Sequence, residues 1–141
     1  KAGLFGGALH FSGQHKLRVP DGPRFETVKQ ISFSAWTSPT GLDRYSEVFR
    51  KEDGDRRVLF SYQENGTILS LGLNVGGYVE CDARIDPQRV LDGQWHHCAA
   101  TFDGRVMRVY LDGREIGSLE RPGEIVSGGT APGCRGSSNG G

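Results

Sequence analysis

The chain has 141 residues, among them 22 Gly, 6 Pro and 3 Cys, and its 17 Lys plus Arg balance 17 Asp plus Glu. This length suits one domain of about 100–150 residues with a real core, and zero net charge with a pI near 7.1 argues against nucleic acid as the main partner, because phosphate binding needs a basic excess. No apolar run approaches the roughly 18 residues of a membrane span, and the start Lys1-Ala2-Gly3-Leu4-Phe5-Gly6-Gly7 lacks a signal-peptide core, so the chain reads as a mature protein, an excised domain or a fragment.

Period-two alternation recurs along the chain and helical periodicity does not. Leu9–Phe11 and Leu17–Val19 read as a strand pair around Ser12-Gly13, followed by a single helical turn near Arg24–Gln30. In Ile31–Thr37, Ile31, Phe33 and Ala35 share one face and Ser32, Ser34 and Trp36 the other. Residues 57–63 form a strand, and Asn65-Gly66 is a strong hairpin signal. Residues 67–75 place Leu69, Leu71, Leu73 and Val75 on one face, and Gly76-Gly77 turns the chain into Tyr78–Ile85.

Trp95–Phe102, Arg105–Leu111 and Arg114–Leu119 form a meander through Asp103-Gly104 and Asp112-Gly113, residues that tolerate the positive φ of tight turns. About nine or ten short strands with regular turns mean a β-sandwich or barrel. Residues 126–141 are dominated by Gly and Ser and read as a loop or tail. Cys81, Cys98 and Cys134 form no C-x-x-C pair, and the plain reading is three small apolar residues.

Four blocks now stand in order: Gly6–Gly13 (GGALHFSG), Ile31–Trp36 (ISFSAW), Leu91–Gly104 (LDGQWHHCAATFDG) and Val109–Gly113 (VYLDG). Together they resemble the laminin G-like group of the concanavalin A-like superfamily, over about residues 3–119. The resemblance implies an all-β, antiparallel two-sheet jelly-roll sandwich. It also implies a non-catalytic module of a secreted or surface protein that binds glycans or proteins, often with calcium. Two departures stand out. Phe11-Ser12-Gly13 lacks the aspartate that the family often has there, and with it a carboxylate that could assist calcium. The chain also stops before the family's usual closing strand. The expected organisation is therefore a sandwich over 1–125 lacking terminal strands, then a tail over 126–141 leading towards a missing strand. An edge left open invites a partner strand; a truncated chain is the plainer explanation.

Gly136-Ser137-Ser138-Asn139-Gly140 matches G-x-S-x-G but lies in the tail, without the strand and helix a nucleophile elbow needs. Glu80-Cys81-Asp82-Ala83-Arg84-Ile85 approaches the E-x-D-x-x-E of jelly-roll hydrolases, but Ile85 replaces the third carboxylate. His96 and His97 are adjacent on a strand, point to opposite faces and cannot share one metal. Glu52-Asp53-Gly54-Asp55 is the densest acidic cluster; if calcium binds, Asp53 and Asp55 are the first ligands, though Arg56-Arg57 opposes a cation and a solvated turn is the plainer reading. Asn65-Gly66-Thr67 fits an N-glycosylation sequon, but its hairpin role already explains it.

Among aromatics, Trp36 and Tyr62 can stack on sugar rings, and Asn74 and Arg84 can supply polar contacts. The function expected is a non-enzymatic binding module of an extracellular or cell-envelope protein that recognises a glycan through Trp36, Tyr62, Asn74 and Arg84. The alternatives are a structural domain contacting a neighbouring protein domain and a glycan hydrolase. No nucleic-acid partner and no membrane insertion are expected.

Overall fold

A strand with apolar residues at every second position can bury only one face, so a chain of such strands must stack two sheets with their apolar faces inward. The computed structural model describes residues 2–13, 15–20, 29–53 and 56–126. They form β1 (Ala2–Gly3), β2 (Gly6–Gly7), β3 (Ile31–Thr37), β4 (Tyr45–Asp53), β5 (Arg56–Gln63), β6 (Ile68–Asn74), β7 (Tyr78–Arg84), β8 (His96–Phe102), β9 (Val106–Leu111) and β10 (Arg114–Glu120). β1 and β2 make a small antiparallel ribbon. The other eight strands make two four-stranded antiparallel sheets, ordered β10-β9-β8-β3 and β4-β5-β6-β7.

The core lies between these sheets. One supplies Phe60, Leu69, Leu71 and Leu73; the other supplies Phe102, Met107, Val109 and Leu111, and all of them are buried. Phe33 of β3 meets Phe49 of β4 at 4.6 Å between ring centroids, which joins the sheets along one side. On the opposite side β7 and β10 approach so closely that a Cβ on Gly117 would sit 2.9 Å from Ala83 Cβ. Glycine is needed there for space.

Past β10 the chain straps one end of the sandwich. The Arg121 N–H donates to Arg105 O at 2.7 Å and the Val126 N–H to Asn74 O at 2.8 Å. The Arg121 guanidinium reaches Val75 O and Gly76 O, each at 2.8 Å. Ile125 plugs the core between these anchors.

The turns follow their residues. Asp112 (φ 51°) and Gly113 (φ 77°) both lie in the left-handed region, whereas at Asp103-Gly104 only the glycine does (φ 92°). The Asp103 carboxylate instead accepts from the backbone N–H of Arg105 and Val106 and from the Arg108 guanidinium at 2.7 Å. These bonds, Arg108 foremost, hold its carboxyl down at about 2. Cys81 and Cys98 are free buried thiols, and burial pushes Cys81 up to about 11.

Three expectations change. Leu9–Phe11 and Leu17–Val19 are not strands; the first ribbon is β1–β2, and Leu9, Phe11, Leu17 and Val19 stand exposed. β4, which period-two reading passed over, is a nine-residue strand with a bulge between Glu47 and Phe49 that breaks its alternation. Trp95 is a half-buried residue just before β8, so that strand starts at His96 rather than at Trp95. The tail 127–141 and most of the helical turn near Arg24–Gln30 lie outside the described residues.

Phe60 is fully buried between Phe33 and the leucines of β6. Phe60→Ala should therefore destabilise the sandwich by about 3–5 kcal/mol, read as a lower midpoint in urea unfolding. A loss below ~1 kcal/mol would contradict this core.

Candidate functional site

The alternation that fills the core leaves each sheet a second face, and the two outer faces differ in chemistry. Across β4-β5-β6-β7 the register sets residues side by side in rungs: Tyr45–Gln63–Ile68–Arg84, Glu47–Ser61–Ser70–Asp82 and Arg50–Leu59–Gly72–Glu80. Glu52 pairs with Arg57, and Asn74 with Tyr78. On this face the inner strands carry Ser61, Ser70 and Gly72 beside Arg57, Leu59, Gln63 and Ile68, while the outer strands carry long charged or aromatic side chains. The result is a polar trough with a low floor and two walls, which stand about 14 Å apart at three interstrand spacings.

The β7 wall is held in place by neutral donors. Ser70 Oγ donates to Asp82 Oδ1 at 2.6 Å. Glu80 Oε1 accepts from Tyr78 OH at 2.8 Å and from Gln63 Nε2 at 3.2 Å. Ser61 and Ser70 are fully buried and Gln63 nearly so, so the bonds from Ser70 and Gln63 are partly shielded from water, whereas the Tyr78–Glu80 bond is exposed. On the β4 wall the carboxylates pair with cations: Arg50 meets Glu47 at 2.6 Å and also Glu52, and Arg57 reaches Glu52 at 3.3 Å. Arg57 also lies over the Tyr78 ring, 4.9 Å from its centroid. Its Nε is buried with no hydrogen-bond partner. Burial first, and then Glu80, push the Tyr78 phenol upward. The phenol fits only because residue 72 is glycine; a Cβ there would collide with its oxygen.

The outer face of β10-β9-β8-β3 is apolar at one end. Trp36 is 45 % exposed and packs on His97, its cross-strand neighbour, at 5.1 Å. The Phe5 ring stands edge-on to it at 6.0 Å. With Leu4, Leu9, Phe11 and Trp95 these rings line an open groove of about 330 Å³ that contains no charged side chain.

The four candidate ligand residues are therefore not one site. Asn74 and Arg84 lie on the trough, at opposite ends of adjacent strands. Trp36 belongs to the other sheet's outer face. Tyr62 is a correction: at 2 % exposure it is a core residue, its hydroxyl 3.0 Å from Thr37 Oγ1, and its ring offers no face to a sugar. Of the two calcium candidates, Asp53 closes β4 opposite Arg56, and Asp55 lies outside the described residues. Among the described residues no group of three or more His, Cys, Asp or Glu is arranged to hold a metal ion, and no helix is long and apolar enough to cross a membrane. Glu80 and Asp82 do share one face, as their alternation requires. Gln63, Ser70 and Arg57, which complete the trough, escaped sequence reading because only the register between strands brings them together.

A two-sheet antiparallel sandwich with one polar outer face is a binding-module scaffold, and the comparisons identify which. The chain belongs to the Concanavalin A-like lectin/glucanases superfamily: the profile of its laminin G-like family matches residues 11–141. Pappalysin-1 of Mus musculus is 49 % identical over 45 residues, a stretch covering 30 % of this chain and 3 % of that much longer protein. Domains LG4-5 of the mouse laminin alpha1 chain share the fold, with a TM-score of 0.53 at 12 % identity over 70 % of this chain and 26 % of that one.

Gly72→Ala should drive Tyr78 off the floor and break its bond to Glu80 while the core face stays intact. The check is the Tyr78 ring signals by NMR together with the thermal midpoint. Unchanged Tyr78 shifts in the variant would contradict the packing described.

Proposed function

We propose that this chain is a non-catalytic module, acting outside the cell or in the cell envelope, that binds a neutral glycan in the trough across β4-β5-β6-β7. The observation that carries this reading is the pair Glu80 and Asp82, two carboxylates on one wall without a cationic partner among the described residues, held over a floor that includes Ser61, Ser70 and Gly72 by Gln63, Tyr78 and Ser70. Sugar hydroxyls donate well to ionised carboxylates, and Arg84, Asn74 and the half-exposed Arg57 supply donors in return. The Tyr45 ring at one end, 57 % exposed, offers an apolar face for sugar C–H groups. A wall carrying Glu80 and Asp82 opposes anionic glycans.

The hydrolase alternative lacks support. Glycoside hydrolysis needs a pair of carboxyl groups flanking the scissile bond. Glu80 and Asp82 share one strand, Ile85 stands where the motif has its third acid, and the opposing Glu47 is committed to Arg50. The Trp36 groove favours a second reading for that face alone. Its uncharged lining suits an apolar surface of a neighbouring protein domain better than a sugar, and β3 has β8 as its one strand neighbour among the described residues.

Titration of the chain with a panel of neutral oligosaccharides, read by calorimetry, tests the proposal. Binding is expected, with Glu80→Gln and Arg84→Ala each weakening it about tenfold or more, near 1.4 kcal/mol, and Trp36→Ala leaving it unchanged. Binding that survives Glu80→Gln but vanishes with Trp36→Ala would move the site to the other sheet, and a flat titration against the whole panel would sink the glycan reading.

A further inference from the structure

His96 opens β8, away from the trough, and its side chain is only 12 % exposed. Its Nε2 lies 2.9 Å from Asp92 Oδ1 and its Nδ1 2.9 Å from Asp112 Oδ2. Ionised carboxylates only accept hydrogen bonds, and a neutral imidazole carries a single N–H. The neutral ring would therefore turn a lone pair towards one carboxylate. Only the imidazolium, with two N–H groups, satisfies both contacts. The carboxylates are themselves anchored: Asp92 accepts from the Gln94 N–H at 2.8 Å and Asp112 from the His97 N–H at 3.0 Å.

Arg89, on the short 3-10 turn Pro87–Arg89, is the cation near the pair: it favours ionised Asp112 and, being positive itself, works against the imidazolium. Thr37 of β3 is the cross-strand neighbour of His96, and behind it stand Tyr62 of β5 and Cys98 of β8, both pushed further towards neutrality by burial. His97 turns to the opposite face, against Trp36. Burial alone would pull the His96 imidazole down, but the two carboxylates outweigh it and raise it above the usual 6.5. Asp112 is likewise drawn down by His96 and the His97 N–H despite its burial, and Asp92 by His96 above all.

We propose that His96 is a proton-held latch: as an imidazolium it ties the loop bearing Asp92 and Trp95 to the β9–β10 turn at Asp112, and when it loses its proton that loop loosens and Trp95 leaves its place in the groove beside Trp36. The sign follows from linkage. A histidine raised on folding contributes stability that is complete below its unfolded value of about 6.5 and is lost as pH rises through the folded value. The lowered aspartates contribute above their unfolded value of about 3.9 and lose that contribution as pH falls through their folded values. The latch is closed between these limits and opens on the alkaline side. It does not depend on what the trough binds.

The test uses the whole chain. The His96 ring C–H is followed by NMR from about pH 5 to pH 9, a range that brackets ordinary histidine titration. Trp95 emission is read in parallel in Trp36→Phe, which leaves it the single tryptophan of the two in the chain. His96 should titrate above about 6.5, with Trp95 emission moving to the red at the same midpoint. Asp92→Asn, a substitution at an exposed residue, should lower both midpoints together. A His96 midpoint at or below 6.5 in the unaltered chain, or Trp95 emission that stays flat while His96 titrates, would overturn the latch.

Discussion

Everything in this molecule depends on the burial of one face of each sheet against the other. Phe60, Leu69, Leu71 and Leu73 meet Phe102, Met107, Val109 and Leu111 across the interface, and no strand has an apolar stripe to spare for a third layer. Burial at roughly 25 cal/mol per Å² of apolar surface is the term large enough to set the register, because a one-residue slip would turn every leucine of β6 outward. The same constraint determines what is left for binding: two outer faces, each made of the residues the core rejected.

Those two faces are chemically unlike because their neighbours differ. In the trough, small residues on the inner strands let the longer side chains of β4 and β7 lean over them, so Ser61 and Ser70 are shielded although they point away from the core. Each buried hydroxyl there is hydrogen-bonded, Ser70 to Asp82 and Ser61 to Gln63, as burial of polar groups requires. On the other sheet Trp36, Phe5 and Trp95 assemble an apolar groove with no such network. A ligand rich in hydroxyls suits the first face, and an apolar surface suits the second.

Most strands were legible in the sequence, since β3 and β5 to β9 combine clean alternation with nearby turn signals, and Asp112-Gly113 marks the start of β10 despite the irregularity between Glu115 and Gly117. β4 was not, because its bulge shifts the phase between Glu47 and Phe49 and charges fill its outer positions. The apolar pairs Leu9/Phe11 and Leu17/Val19 alternate like strands, yet alternation alone cannot supply a neighbour to pair with. Tyr62 shares parity with Val58 and Phe60, a signal that already placed it inside. The trough was illegible for a different reason. Glu80 and Asp82 are visible on one strand, but Gln63, Ser70 and Arg57 join them only through a cross-strand register that the turn lengths fix in three dimensions.

The strap after β10 has a mechanical consequence. Arg121 and Val126 hydrogen-bond to the β6–β7 end of one sheet, while Arg121 and Gly123 also hold the β8–β9 turn of the other. Tension applied along the chain beyond Val126 would thus be shared between both layers before β10 could unzip from β9. Val126, Gly123 and Arg121 would act as successive anchors, and the sandwich would resist traction as one body instead of peeling strand by strand.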